Sequence, residues 1–358
     1  MAQISKILVK GGRVFDGEKF LYADVLTEGD KIAKIAPGIS DAADFVFDAT
    51  GMTVAPGLVD LHVHMRGISS EIFGINAEMS SIPFGVTSAA DASGKHGDKA
   101  LLETFLVKGL VFSAVVIKNN HADFTETEKS LSRFGKRAVG IKVYFDTAHP
   151  EVRDVTPLKE ACEFAHARGL SVMVHCTGSP SPMSEILDTL GKGDILTHAF
   201  HGGKNNALED NFESLFSAQK RGIFIDCGFA GHVHTNFEIF RSAIKCGFVP
   251  DTISTDITKL SAYKRGGRYG MTTCMSIARC AGLGEEQIFK CVTSNAARAL
   301  GKEEIWGRLH VGGAADLSVF DYTDEGFDLI GKENNRMKSD TGYRCMLTVV
   351  DGNVVYRR

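Results

Sequence analysis

The sequence contains no long hydrophobic run: its longest apolar stretch, GLVFSAVVI at 109–117, falls far short of the roughly 20 residues that span a bilayer. Its opening, MAQISKILVKGGRVFDG, breaks at Gly11-Gly12 before any extended apolar core, so it does not read as a secretory signal, and a cytoplasmic protein is expected. An excess of one charge is also missing. Forty Lys plus Arg against 44 Asp plus Glu leave a net charge of −4, which argues against nucleic acid or a membrane surface as a partner. The eight cysteines include no C-x-x-C pair; scattered through apolar or periodic segments, they read as reduced core residues rather than disulfides or a thiolate metal site. What is present in excess is glycine. Its 38 residues in 358 exceed the usual share of ~7% by about half and imply many tight turns or backbone-lined pockets.

Residues 1–56 alternate short β-rich runs with turn signals, as in ILVKGGRVFDG and FVFDATGMTVAPG, and residues 306–358 return to the same style. Asp351-Gly352 between two β-rich runs predicts a hairpin. Two ends of one character suggest a small β domain assembled from both termini. The middle differs, with eight short runs at 57–64, 86–92, 112–118, 138–145, 170–176, 194–200, 223–228 and 251–256, whose last residues lie 24 to 31 apart. Helical periodicity is read between them at 99–110, 156–168, 208–221 and 236–246. That period is one strand plus one helix, and eight such units predict an α/β fold of the (β/α)8 TIM-barrel type. A doubly wound open sheet is the competing arrangement.

Several of these runs end in residues that bind metals or move protons. In Asp60-Leu61-His62-Val63-His64 the period of two places Asp60, His62 and His64 on one face, although an H-x-H in a strand also arises by chance on a solvated face. Lys142 lies in GIKVY on the opposite face from Ile141 and Val143. A lysine amid a buried strand must lose its proton, pair with a carboxylate such as Asp60 or Asp256, or be modified. His175, His198 and Asp256 end the fifth, sixth and eighth runs; singly each reads as a core residue, jointly they match a catalytic metal site at the C-terminal end of a barrel.

The string Pro56-Gly57-x-Val59-Asp60-x-His62-x-His64, followed by the lysine, the two histidines and the aspartate in this order, resembles the binuclear amidohydrolase superfamily. Within it the chain is most similar to the amidohydrolase/deacetylase branch, which includes dihydroorotase-like and adenine-deaminase-like members; GDILTHAFHGGKNN (193–206) carries that likeness. SNAARALG (294–301) and GGAADLSVFD (312–321) extend it over essentially the whole chain. The resemblance implies a barrel at 57–300 and a small β-sandwich domain from 1–56 and 301–358. It implies two divalent ions, zinc first, with iron, manganese and cobalt as alternatives. His62, His64 and Asp256 would hold the more buried ion, His175 and His198 the more exposed one, and a CO2-carboxylated Lys142 would bridge them. A water between two metals loses its proton at neutral pH, with Asp256 as general base and then acid toward the leaving group.

The reaction implied is hydrolysis of a small N-acyl acid, in the manner of a deacetylase, or of the O-acyl ester. Competing readings are a cyclic amide hydrolase (dihydroorotase- or hydantoinase-like), a deaminase of a purine-like ring, and a non-catalytic barrel scaffold, the last opposed by the presence of all six candidate ligands. For the substrate, Arg66 two residues beyond His64 is a candidate carboxylate clamp. Tyr144, His201 and His232 are candidate contacts by position, with the H-x-H of His232 and His234 read as pocket wall rather than ligands. Lys264, Arg265 and Arg268 read as a solvated charge run or an anion-binding lip. The partners expected are a small-molecule substrate and further copies of the same chain.

Overall fold

Seven of the apolar runs in the middle of the chain pair in parallel into one curled sheet, in the computed structural model that describes residues 5–65, 74–94, 106–230, 233–263 and 268–358. In spatial order the strands are Leu58–Val63, Val86–Gly94, Lys108–Ala114, Ala138–Tyr144, Ser171–His175, Ile195–Thr197 and Phe224–Ile225, each hydrogen-bonded to the next. The period of two sorts their side chains. Ile141 and Val143 align with Val172 and Val174 and pack against Leu158, Ala161 and Ala165 of the helix Thr156–His166, while Lys142 aligns with Met173 on the other face. The helix Phe237–Lys245 begins where the Asn236 side chain accepts from the backbone N–H groups of Glu238 and Ile239, and the chain leaves it through Gly247 at φ +84°.

Three expectations are corrected. The third strand is Lys108–Ala114, so part of the helix read at 99–110 is strand; residues 99–105 lie outside those described. The rest of the run at 112–118 turns away as a hairpin, Val116–Lys118 with His121–Asp123, over Asn119 and Asn120 at positive φ. The eighth run is not a ladder strand, and the sheet is not closed as a barrel of eight. Residues 251–257 meet its two edges at single bridges among the described residues, Asp226 with Thr252 and Val63 with Ile257. The physical reason is local: Asp256 sits at φ +46°, outside extended backbone, and the Thr255 N–H is given to the Asp60 carboxylate.

The terminal segments do combine, as their shared pattern implied. Thr53–Pro56 lies between Arg13–Phe15 and Leu317–Thr323 in a six-stranded sheet, and Lys6–Lys10 lies between Asp24–Glu28 and Phe45–Asp48 in a four-stranded one. Ile7, Val14, Val25, Val54, Leu317 and Leu347 form a core between them. Asp351 and Gly352, both at positive φ, make the hairpin turn. A sandwich standing apart is nevertheless not what forms. Phe15, Ala55, Phe320 and Tyr343 belong to the same hydrophobic cluster as the parallel sheet and its helices. The Phe320 ring closes over Gly85, at φ +80°, leaving no room for a Cβ there.

Because Phe320 is buried where the terminal and parallel sheets meet, Phe320→Ala is expected to cost about 3–5 kcal/mol. Calorimetry should show one shared unfolding transition moving down; two transitions, only one of them moved, would show that the terminal sheets unfold as a unit of their own.

Candidate metal centre

Every strand end that carried a candidate ligand points it to the same place. The rings of His62 and His64 lie 5.5 Å apart, His62 and His198 5.1 Å, and His175 and His198 4.5 Å between centroids. Asp256 reaches into this group, with Oδ1 2.7 Å from His64 Nε2 and 3.2 Å from His62 Nε2, and Oδ2 3.8 Å from His198 Nε2. Lys142 is fully buried, its Nζ 3.1 Å from His62 Nε2. Both His198 and Asp256 adopt the left-handed backbone region, at φ +62° and +46°, a conformation retained by non-glycine residues chiefly where surroundings over-determine it.

The outer nitrogens of the rings are anchored. His62 Nδ1 lies 2.9 Å from Thr197 Oγ1, His64 Nδ1 3.0 Å from Ser93 Oγ, and His198 Nδ1 2.6 Å from the carbonyl oxygen of Gly228. Gly228 is at φ +51°, and a Cβ there would strike Thr197 and His198. The inner atoms are not satisfied in the same way. His198 Nε2 is buried and has no hydrogen-bond partner among the described residues, and Asp256 Oδ1, also buried, faces the Nε2 atoms of His62 and His64. Such atoms are costly unless something binds them, and imidazole nitrogens with a carboxylate are a donor set for a divalent cation. One ligand atom each from His62, His198 and Asp256 lie within 4.8 Å of one another, as do those of His175, His198 and His234.

Charge states agree with ligation. Burial disfavours imidazolium, so His62 and His198 are pushed well below the usual histidine range and keep lone pairs at neutral pH. Burial also brings the Lys142 ammonium down to about 7, against the pull of Asp256, Asp226 and Asp91. For Asp256 burial acts to raise the carboxyl, but His62 and His64 outweigh it and hold the group below the usual carboxylate range.

Of the substrate candidates, Tyr144 stands at the rim, its ring 5.4 Å from that of His175. His201 is fully buried, accepting the Gly203 N–H at Nδ1 with Nε2 3.6 Å from Cys176 Sγ. Arg66 and His232 lie outside the described residues, as do Lys264 and Arg265. Arg268 lines a separate cavity of about 450 Å³ with Glu325, Arg344 and Arg358. Asp60 does not pair with Lys142; it accepts from Thr255 at both the backbone N–H and the hydroxyl. His234, read as pocket wall, comes closer than that: its ring is 4.5 Å from that of His198 and its Nε2 3.7 Å from Asp256 Oδ2. Sequence reasoning passed over Asp146, which accepts from Ala148 N–H and the Thr177 hydroxyl beside His175, and the buried Asp91 and Asp226. Their signal was an acid at or just after a strand end, the same one that marked Asp256.

The model of the Amidohydrolase family matches residues 53–355. A deacetylase of Agrobacterium fabrum is 29% identical over 337 residues, covering 87% of this chain and 81% of its own. Among solved structures, a dihydroorotase superposes with a TM-score of 0.83 at 24% identity, covering 99% of this chain and 98% of its own. An adenine deaminase does so with 0.84 at 23% identity, covering 98% and 99%. These likenesses establish a TIM-barrel-like fold, so the curled sheet, although unclosed by a regular eighth strand, follows that architecture.

The buried rings make stability depend on pH. His201 and His234 are depressed by burial to about 4, and His62, His175 and His198 are lowered as well. These rings take up protons near pH 6.5 only when unfolded, so their contribution is present above that pH and lost as it falls toward 4. Asp60 and Asp226, raised by burial to about 7 and about 6, run the opposite way and gain stability as the pH falls through those values. Five groups oppose two, each unit of displacement being about 1.4 kcal/mol. Denaturant titration of metal-free protein should therefore show a net loss between pH 6.5 and 4.5; a flat or rising profile would contradict this charge assignment.

Proposed function

This chain belongs to the amidohydrolase family, and on that premise we propose that it removes the acyl group from a small N-acyl acid, in the manner of a deacetylase, with the matching O-acyl ester as the lesser substrate. It is a hydrolase of carbon–nitrogen bonds. The observation that carries the reading is the meeting of His62, His64, Lys142, His175, His198 and Asp256, with His198 Nε2 buried and without a hydrogen-bond partner among the described residues and Asp256 Oδ1 set between the Nε2 atoms of His62 and His64.

In this reading His62, His64 and Asp256 would hold one divalent ion, His175 and His198 a second, and Lys142 would stand between them. Zinc suits this donor set. When bound, the ions supply an acidified water and a Lewis acid for the substrate carbonyl. Asp256, ionised throughout the neutral range, accepts a proton from the attacking water and delivers it to the departing nitrogen, so acid and amine leave with atoms balanced. Lys142 near 7 is partly the free amine at neutral pH, the form that adds to CO2 with loss of a proton and becomes an anionic ligand; that supports its carboxylation. Tyr144, at the rim, would touch the substrate together with His201 and His232, and Arg66 is the candidate clamp for its carboxylate. We assign the chemistry to residues 57–300 and a bracing role to 1–56 and 301–358.

The test is hydrolysis of N-acetyl amino acids and O-acetyl hydroxy acids beside dihydroorotate and hydantoins, with elemental analysis of the same preparation. Two metal equivalents and preference for the acyclic N-acyl acids are expected. Asp256→Asn should lower kcat by about 10²–10⁴ in a protein that still folds. Unchanged turnover in that variant would remove Asp256 from the chemistry, and preference for the cyclic amides would replace the substrate class.

A further inference from the structure

The two nitrogens of His62 face different partners, and the hydrogens those partners possess decide which nitrogen carries the proton. Thr197 Oγ1, 2.9 Å from His62 Nδ1, has a single hydrogen and donates it to Asp226 Oδ2 at 2.7 Å. An ionised carboxylate accepts only. The hydroxyl is therefore left to accept from His62, so Nδ1 bears the N–H and Nε2 the lone pair. On the opposite side of the ring Nε2 faces Lys142 Nζ at 3.1 Å, whose hydrogens a lone pair there accepts, and Asp256 Oδ1 at 3.2 Å, which lies closer to His64 Nε2 at 2.7 Å. Lys142, His62, Thr197 and Asp226 form one chain of donations running in a single direction, from a buried amine to a buried carboxylate.

The neighbouring rings follow the same logic. The Gly228 carbonyl beside His198 Nδ1 can only accept. Ser93 Oγ stands between His64 Nδ1, at 3.0 Å, and Asp91 Oδ1, at 3.4 Å. Asp226 has a further role, since its carboxylate also accepts from the hydroxyls of Thr252 at 2.8 Å and Ser254 at 2.6 Å. It thus ties the irregular run 251–256, which carries Asp256, to the same acceptor that orders His62.

We propose that Thr197 and Asp226 are positioning residues that set His62 as the Nδ1–H tautomer in the metal-free protein, so that its Nε2 lone pair is aimed inward before any ion arrives. The importance of this for metal binding rests on His62 being a ligand, as proposed above; the tautomer itself does not. An imidazole free to carry its proton on either nitrogen would present a hydrogen to the ion part of the time, and partners of this kind around metal-binding histidines are worth about 10–100-fold in affinity.

The experiment uses full-length protein labelled with 15N-histidine and stripped of metal, read by two-bond 15N–1H correlation at mildly alkaline pH, with zinc competition against a chelator on the same samples. Wild type should show the Nδ1–H pattern for His62. Thr197→Val should lose or mix it and bind zinc about 10–100-fold more weakly. Thr197→Ser, which keeps the hydroxyl, should retain both signatures and so separates the relay from packing. Thr252→Val, which removes only the bond to the neighbouring run, should lower the melting temperature and leave tautomer and affinity alone. An Nε2–H His62 in the wild type overturns the proposal. So does Thr197→Val with tautomer and affinity unchanged, or an equal loss of affinity in Thr252→Val. None of these readouts uses turnover, so their failure leaves the hydrolase reading standing.

Discussion

Asp256 places an ionised carboxylate where about 4% of the residue reaches solvent, and a charge stripped of water has to be met by opposite charge or strong donors. His62, His64, His198, His234 and Lys142 approach it or one another from separate strand ends and loops. With burial holding His62, His198 and His234 neutral, these three offer lone pairs. The centre is thus a concentration of acceptor atoms, which a divalent cation satisfies better than any rearrangement of protein groups. The left-handed backbone at His198 and Asp256 is consistent with local strain held in place by that requirement.

The same demand explains the irregular seam of the sheet. An eighth regular strand would have spent its N–H and C=O groups on ladder hydrogen bonds and kept Asp256 in extended backbone. Instead, the Thr255 hydroxyl and N–H go to Asp60, and Thr252 and Ser254 donate to Asp226. Two buried carboxylates substitute for a ladder, and one of them also orders a histidine. Support comes from outside the site as well: Phe15, Phe289 and Phe320 pack tilted and edge-on along the junction between the terminal sheets and the parallel sheet. The terminal residues are therefore continuous with the packing beneath the chemistry.

A fold shared with a dihydroorotase and an adenine deaminase does not by itself choose a bond to break. In the proposed reading, activation belongs to the buried centre and selection to residues at its mouth such as Tyr144.

Much of the candidate centre was legible in the linear sequence because five of the eight runs, which recur every 24 to 31 residues, end in an imidazole, amine or carboxylate. That periodicity carried His62, His64, Lys142, His175, His198 and Asp256, the parallel order of the strands, and the pairing of the two ends of the chain. It could not carry what depends on backbone dihedrals or on contacts between distant segments. His234 follows a glycine-rich loop, and only the turn at Gly228 and Ala230, both at positive φ, brings its ring against His198. The third strand begins at Lys108, ahead of the run read at 112–118, because pairing with its neighbour, from Lys108 opposite Ser88, sets that limit. Asp60 was equally available on paper to Lys142 or to the backbone; geometry assigned it to Thr255. The sequence by itself determined which chemical groups are present and at what period. Tertiary structure decided which of them meet, which nitrogen of each ring faces inward, and where the sheet forgoes a strand, because those outcomes depend on hydrogen-bond partners that lie 26 to 195 residues away along the chain.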